Sequence, residues 1–199
     1  MSKTKSVFSI AVVALLVATP AMGQLLNYPI GALRAGDADG ATSIGAGWGR
    51  GLNEDSGKLN AFGVGITRAA ETVSYSVAGV YVNSSDIGLG GRLAYNGLAE
   101  NIGIQGGIEW KSPDAGTQMN FPIGISFSGG SESISYSVMP RVQFTRTSAS
   151  SATTTDTDFG ASAGIGFVTE GGVGLALSGD WVSGTSSILV GAAVYYQLP

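Results

Sequence analysis

Residues Ser133–Thr147 read SISYSVMPRVQFTRT. Ile134, Tyr136, Val138, Pro140, Val142 and Phe144 fall on one parity; Ser133, Ser135, Ser137, Met139, Arg141, Gln143 and Thr145 fall on the other. Alternation sustained over such a length is the period of a β-strand with one apolar and one polar face. The run is about twice the usual length of a globular strand. Its two aromatics flank an aliphatic centre, whereas a membrane-crossing strand needs roughly 9–11 residues with rings at both interfaces.

The rest of the chain repeats this design. Nine further alternating segments are legible: Thr42–Arg50, Leu59–Arg68, Thr72–Asn83, Asp86–Asn96, Asn101–Lys111, Asn120–Ser128, Asp158–Val168, Val173–Val182 and Ile188–Leu198. They predict an all-β, closed antiparallel up-and-down transmembrane barrel over residues 41–199, with about ten strands and eight or twelve as the alternatives. Turn signals separate them, the longest being Asn53–Lys58 and the Ser/Thr-rich run Ser148–Thr157, read as a flexible loop. Pro140 sits in mid-strand without an N–H to give, so a local bulge is expected there.

Two features separate a membrane barrel from a soluble sandwich. The first is where the rings lie. If the first strand starts on the periplasmic side, Trp48, Phe62, Tyr81, Trp110, Phe121, Phe144, Phe159 and Trp181 gather at the outer rim. Tyr75, Tyr95, Phe127, Tyr136, Phe167 and Tyr196 gather at the periplasmic rim. A sandwich core places its largest rings in mid-strand instead. The second is the opposite face, built from Gly63, Gly65, Gly88, Gly90, Gly103, Gly107, Gly124, Gly160, Gly164, Gly166 and other small residues. Such a lining suits a narrow, strongly curved barrel.

Composition removes several function classes. The 199 residues contain neither Cys nor His, so disulfides, thiolate metal sites and the commonest general base are absent. A net charge of -4 gives nucleic acid no electrostatic support. Residues 1–23 form a secretory signal: Lys3 and Lys5 precede an apolar stretch from Val7 to Ala18, then Pro20 and Ala21-Met22-Gly23, with cleavage after Gly23. That stretch is too short to cross a bilayer as a helix. Residues 24–40 are poorly patterned and are read as a periplasmic tail or a lumen plug, with an irregular extra strand as the alternative.

With these girdles and this alternation, residues 41–198 resemble the small outer-membrane β-barrel proteins of Gram-negative bacteria. The C-terminal Gly191-Ala192-Ala193-Val194-Tyr195-Tyr196 is similar to that family's closing-strand assembly signal, a Gly followed by apolar or aromatic residues three and five positions later. The family usually ends on an aromatic residue; this chain continues through Gln197 and Leu198 to Pro199. The resemblance implies residence in the outer membrane among its lipids and recognition by the barrel-assembly machinery.

The inward-facing polar residues are Arg92, Gln105, Glu109, Arg141, Gln143 and Asp180, with Arg92 in diagonal reach of Glu109 across a strand pair. They form either a charged constriction or a structural ion-pair network that fills the lumen. The glycines around them leave room for water, so a thin channel is the competing outcome. No catalytic residue, cofactor or metal is assigned. Gly88-Leu89-Gly90-Gly91 has no following helix and no Lys-Ser/Thr, so it is no phosphate loop. Glu54, Asp55, Asp114 and Asp156 are read as solvated loop charge. The function expected is a structural or narrow-channel outer-membrane barrel without enzymatic activity. A surface-binding barrel acting through its outer loops and a secreted soluble β-protein are the alternatives.

Overall fold

The computed structural model describes residues 42–52, 60–68, 72–82, 86–112, 116–131, 133–149, 152–183 and 187–198. The signal, the tail or plug, and the Asn53–Lys58 turn lie outside the described residues. Ten strands follow one another: β1 Thr42–Gly51, β2 Asn60–Arg68, β3 Val73–Val82, β4 Asp86–Ala99, β5 Ile102–Ser112, β6 Gly116–Gly130, β7 Ile134–Ala149, β8 Ala152–Val168, β9 Val173–Val182 and β10 Ser187–Leu198. Each pairs antiparallel with its neighbour in sequence, and β1 closes on β10 from Thr42↔Leu198 to Gly51↔Leu189. This is a closed up-and-down barrel.

Closure requires stagger. Cross-strand partners followed from Glu109 lead through Gly90, Ala78, Gly65, Gly45, Tyr195 and Gly174 to Val168, near the other end of the barrel. Strands so sheared must tilt against the axis.

The burial pattern is the reverse of a soluble protein's. Val77, Leu93 and Phe159 are 62 %, 59 % and 67 % exposed on the outside, while Arg92, Glu109, Arg141 and Asp180 are 5 %, 3 %, 4 % and 4 % exposed on the inside. Water would penalise that exterior strongly; hydrocarbon does not. The barrel is therefore a transmembrane one of the outer-membrane kind, and a secreted soluble β-protein is excluded.

Two expectations are corrected. Pro140 causes no bulge: the β6–β7 register is the same on both sides of it, from Gly124↔Arg141 to Phe127↔Val138. The ladder simply omits Ile125/Pro140 and Ser126/Met139, and Pro140 still pairs with Ala161 on its other side. A proline lacks one donor, so a gap of two pairs towards one neighbour accommodates it. Pro122 does the same towards β5, where the pairing passes from Gly106↔Ile123 to Glu109↔Asn120.

The second correction concerns Ser148–Thr157: Ser150 and Ser151 lie outside the described residues, and the rest of the run is strand. β7 runs to Ala149 and β8 starts at Ala152, with Ser148↔Thr153, Thr147↔Thr154, Arg146↔Thr155, Thr145↔Asp156 and Phe144↔Thr157 in register. β6 starts correspondingly early, at Gly116 opposite Ala149. Threonine's branched Cβ suits an extended backbone, and that preference outweighs the polarity that suggested a loop.

The turns impose local demands of their own. The β4–β5 register shifts between Tyr95 and Ala99, where Asn101 adopts φ 64°. Gly130, which ends β6, has φ 150°, and a Cβ there would collide with the Ile134 carbonyl oxygen and lie 2.8 Å from the Ser135 Cα. Gly130→Ala is therefore expected to destabilise the β6–β7 connection by about 1–3 kcal/mol. Urea unfolding of the refolded barrel in lipid vesicles checks this, and an unchanged midpoint would refute it.

Candidate functional site

The lumen is where the polar chemistry of this chain is collected. Arg141 lies on the inward face of β7, and its partner across the ladder is Gly160 of β8. Its guanidinium lies over that glycine: a Cβ at residue 160 would stand 3.1 Å from the Arg141 Cζ and 3.2 Å from Nη2. Beyond it the guanidinium donates through Nη1 and Nη2 to the two carboxylate oxygens of Asp180 on β9, at 2.7 and 2.9 Å. The Ser162 hydroxyl accepts from Arg141 Nη1 and donates to Asp180 Oδ1 at 2.6 Å. A bidentate, charge-assisted pair of this kind fixes geometry as well as charge. It ties together three consecutive strands.

The second cluster repeats the device. Arg92 on β4 faces Gly107 of β5, where a Cβ would stand 2.9 Å from the Arg92 Cγ. Its Nη2 donates to Glu109 Oε1 at 2.6 Å, and Asn120 Nδ2 on β6 donates to Glu109 Oε2 at 3.3 Å. Gln118 Nε2 donates in turn to the Asn120 side-chain oxygen at 3.2 Å. Tyr195 makes a third such crossing. It faces inward from β10, its ring fills the place a Gly174 side chain would take, and its hydroxyl donates to the Phe167 carbonyl of β8 at 3.2 Å.

The structure thus joins Arg92 to Glu109 and Arg141 to Asp180, and keeps the two pairs on separate strand triplets. Gln143, on the Arg141 face, donates to Thr145 Oγ1 at 3.3 Å. Gln105 is buried across Gly124 from Arg141 and joins neither cluster; its amide has no partner among the described residues. Sequence reasoning missed Asn120, Ser162 and Tyr195. Parity alone would have found Tyr195, the inward member of the Tyr195-Tyr196 pair. Ser162 and Asn120 are ordinary lining residues until their neighbours are known.

The glycines have a role that composition does not reveal. Gly107, Gly160 and Gly174 are occupied from above by Arg92, Arg141 and Tyr195. Here a small residue makes room for a neighbour's side chain, and that space is not left for solvent.

On the outer surface Tyr75, Tyr81, Tyr95, Phe127, Tyr136, Phe144, Phe159, Phe167, Trp181 and Tyr196 are exposed; Trp48, Phe62, Trp110 and Phe121 are half-buried. Trp48, Phe62 and Tyr81 are successive cross-strand partners on β1, β2 and β3, and Phe121 stands opposite Phe144. Asp156 is exposed on β8, while Glu54, Asp55 and Asp114 lie outside the described residues. Among the described residues no group of three or more acidic side chains is placed to hold a metal ion.

No protein-family model matches the sequence, and no curated protein does. Solved barrels are similar in shape. The N-terminal β-barrel domain of Pseudomonas aeruginosa OprF aligns at 10% identity over 80% of this chain and 98% of that one, with TM-score 0.43. The KdgM porin in complex with disordered oligogalacturonate aligns at 12% identity over 79% and 99%, with TM-score 0.46. The Yersinia pestis outer membrane protein Ail, in a phospholipid bilayer nanodisc, aligns at 10% identity over 80% and 100%, with TM-score 0.45. At such identities no residue role transfers to this chain.

Removing one partner from a buried ion pair strands the other charge, at a cost of about 3–5 kcal/mol. Asp180→Ala is expected to lose that much stability in equilibrium unfolding from lipid vesicles. The double variant Arg141→Met, Asp180→Leu is expected to recover most of it. If the double variant is no more stable than the single one, the cost does not come from the stranded charge.

Proposed function

We propose that this protein is an outer-membrane barrel whose lumen is closed by its own side chains, acting as a structural or display barrel and not as an open solute pore. One observation carries the reading: Arg92, Glu109, Arg141 and Asp180 on the lumen wall are each at most 5 % exposed and are engaged with one another. A selective constriction must present its charge to a passing solute. Here these four charges are spent on one another, and the lining around them is as buried, with Met139 and Ser162 each 1 % exposed.

The exterior supports the lipid side of the reading. Its rings would lie at the two interfaces, with aliphatic side chains in the hydrocarbon between them. β10 pairs on both edges, and its Gly191–Tyr196 segment is the part expected to engage the assembly machinery before closure. No catalytic step is assigned.

Planar-bilayer recording separates the two versions. Wild-type protein, with insertion verified by heat-modifiable gel migration, is expected to remain silent. Arg92→Ala, Glu109→Ala, Arg141→Ala and Asp180→Ala combined are expected to open discrete steps by emptying both clusters. Steady single-channel conductance from the wild type would establish the narrow-channel alternative.

A further inference from the structure

Beyond Phe144 and Phe159 the β7–β8 hairpin becomes polar on both faces. Arg146 and Ser148 on β7, and Thr153, Thr155 and Thr157 on β8, occupy the parity that is aliphatic lower down. A strand pair with no apolar face has left the hydrocarbon. At roughly 3.3 Å per residue, residues 152–158 make about 20 Å of strand standing in water on the outer side.

Among the described residues, one edge of that projection has no partner strand. On its β7 side β8 is paired without a gap from Val142↔Phe159 to Ala149↔Ala152. On its other side the last rung to β9 is Gly160↔Val182, and Ser183 then caps the junction. The Phe159 N–H donates to Ser183 Oγ at 3.0 Å, and the Ser183 N–H donates to the Phe159 carbonyl at 2.8 Å. Those two bonds fix the sense of the ladder. The backbone of Phe159 points away from β7, so that of Thr157, Thr155 and Thr153 does too, because successive residues of a strand bond to opposite sides. All three threonines are exposed, and no described residue pairs with their edge.

Natural sheets blunt such an edge with charged side chains, a proline, a bulge, a very short strand or a covering loop. Ala152–Thr157, reading ATTTDT in an unbroken register, has neither proline nor bulge, and its one charge is Asp156. Asp156 and Asp158 share one face, two residues apart, and neither carboxylate is held in an ion pair or hydrogen bond among the described residues. From this open edge and its charge we infer that β8 is a docking strand for an extended segment of another protein, which adds to the sheet alongside Thr153–Thr157. The chemistry selects a segment with Lys or Arg at alternate positions, on the face beside Asp156 and Asp158. Backbone bonds to the three threonines would give the affinity, and the carboxylates the choice of partner. A second copy fits poorly. Two barrels in one membrane point the same way, which allows only parallel pairing of this edge with itself, the slightly weaker kind. The inference does not depend on whether the lumen conducts.

The test uses the full-length protein refolded into nanodiscs and a fluorescent heptapeptide, Lys-Thr-Lys-Thr-Lys-Thr-Lys, read by anisotropy. Saturable binding is expected. Thr155→Pro removes an N–H from the open edge and none from the β7 ladder, so it should weaken binding at least tenfold while heat-modifiable migration is retained. Asp156→Asn with Asp158→Asn should weaken it about fivefold to tenfold and flatten its salt dependence. The same peptide N-methylated at every second amide should fail to bind in at least one of the two methylation registers, which tests backbone pairing without altering the protein. Equal binding of both methylated peptides and the parent would overturn the inference, leaving only charge attraction. No binding of the parent peptide, or a protein dimer in detergent that Thr155→Pro dissociates, would overturn it as well.

Discussion

Everything in this molecule follows from the rung between β1 and β10. In hydrocarbon an unpaired N–H or C=O has no water to turn to, so a sheet with a free edge is not viable there. Pairing Thr42–Gly51 with Leu189–Leu198 removes both edges at once. It also turns one face of every strand towards lipid and the other towards a confined interior. The exposed aliphatics and rings outside, and the buried ion pairs inside, are two consequences of that single closure.

Confinement then decides what the interior contains. Arginine is long, always charged and planar, and it cannot point across a narrow lumen without leaving its charge uncompensated. In this barrel each lumen arginine lies down along the wall instead, over the glycine opposite, and reaches a carboxylate beyond. Arg92 crosses Gly107 and Arg141 crosses Gly160. The high glycine content is thus partly a record of side chains on neighbouring strands. The hairpin beyond Phe144 and Phe159 is different: in water the constraint lapses, and β8 continues past its last β9 partner with one side unpaired among the described residues.

The two prolines in mid-strand illustrate how much the ladder tolerates. Pro122 and Pro140 interrupt rungs on consecutive strand pairs, β5–β6 and β6–β7, and neither shifts the register. Each keeps its ladder to the following strand. A missing donor removes one bond; the rigid pairing on the far side holds the strand in place. A bulge would have turned the residues beyond it to the wrong face, at a far greater cost in lipid.

What the sequence determined by itself was periodic. Alternation placed ten strands, distinguished the lipid face from the lumen face, and brought Arg92 towards Glu109, since a short hairpin fixes which residues lie opposite. Strand ends were less legible, because Thr-rich polar segments satisfy both a loop and a solvated strand; only pairing of Ser148 with Thr153 decided between them. Tertiary structure alone decided the partnership of Arg141 with Asp180, which are 39 residues apart and separated by β8. It depends on the register of two successive strand pairs and on a glycine at one position between them. Such a relation has no local periodicity, so it exists only once the sheet has closed.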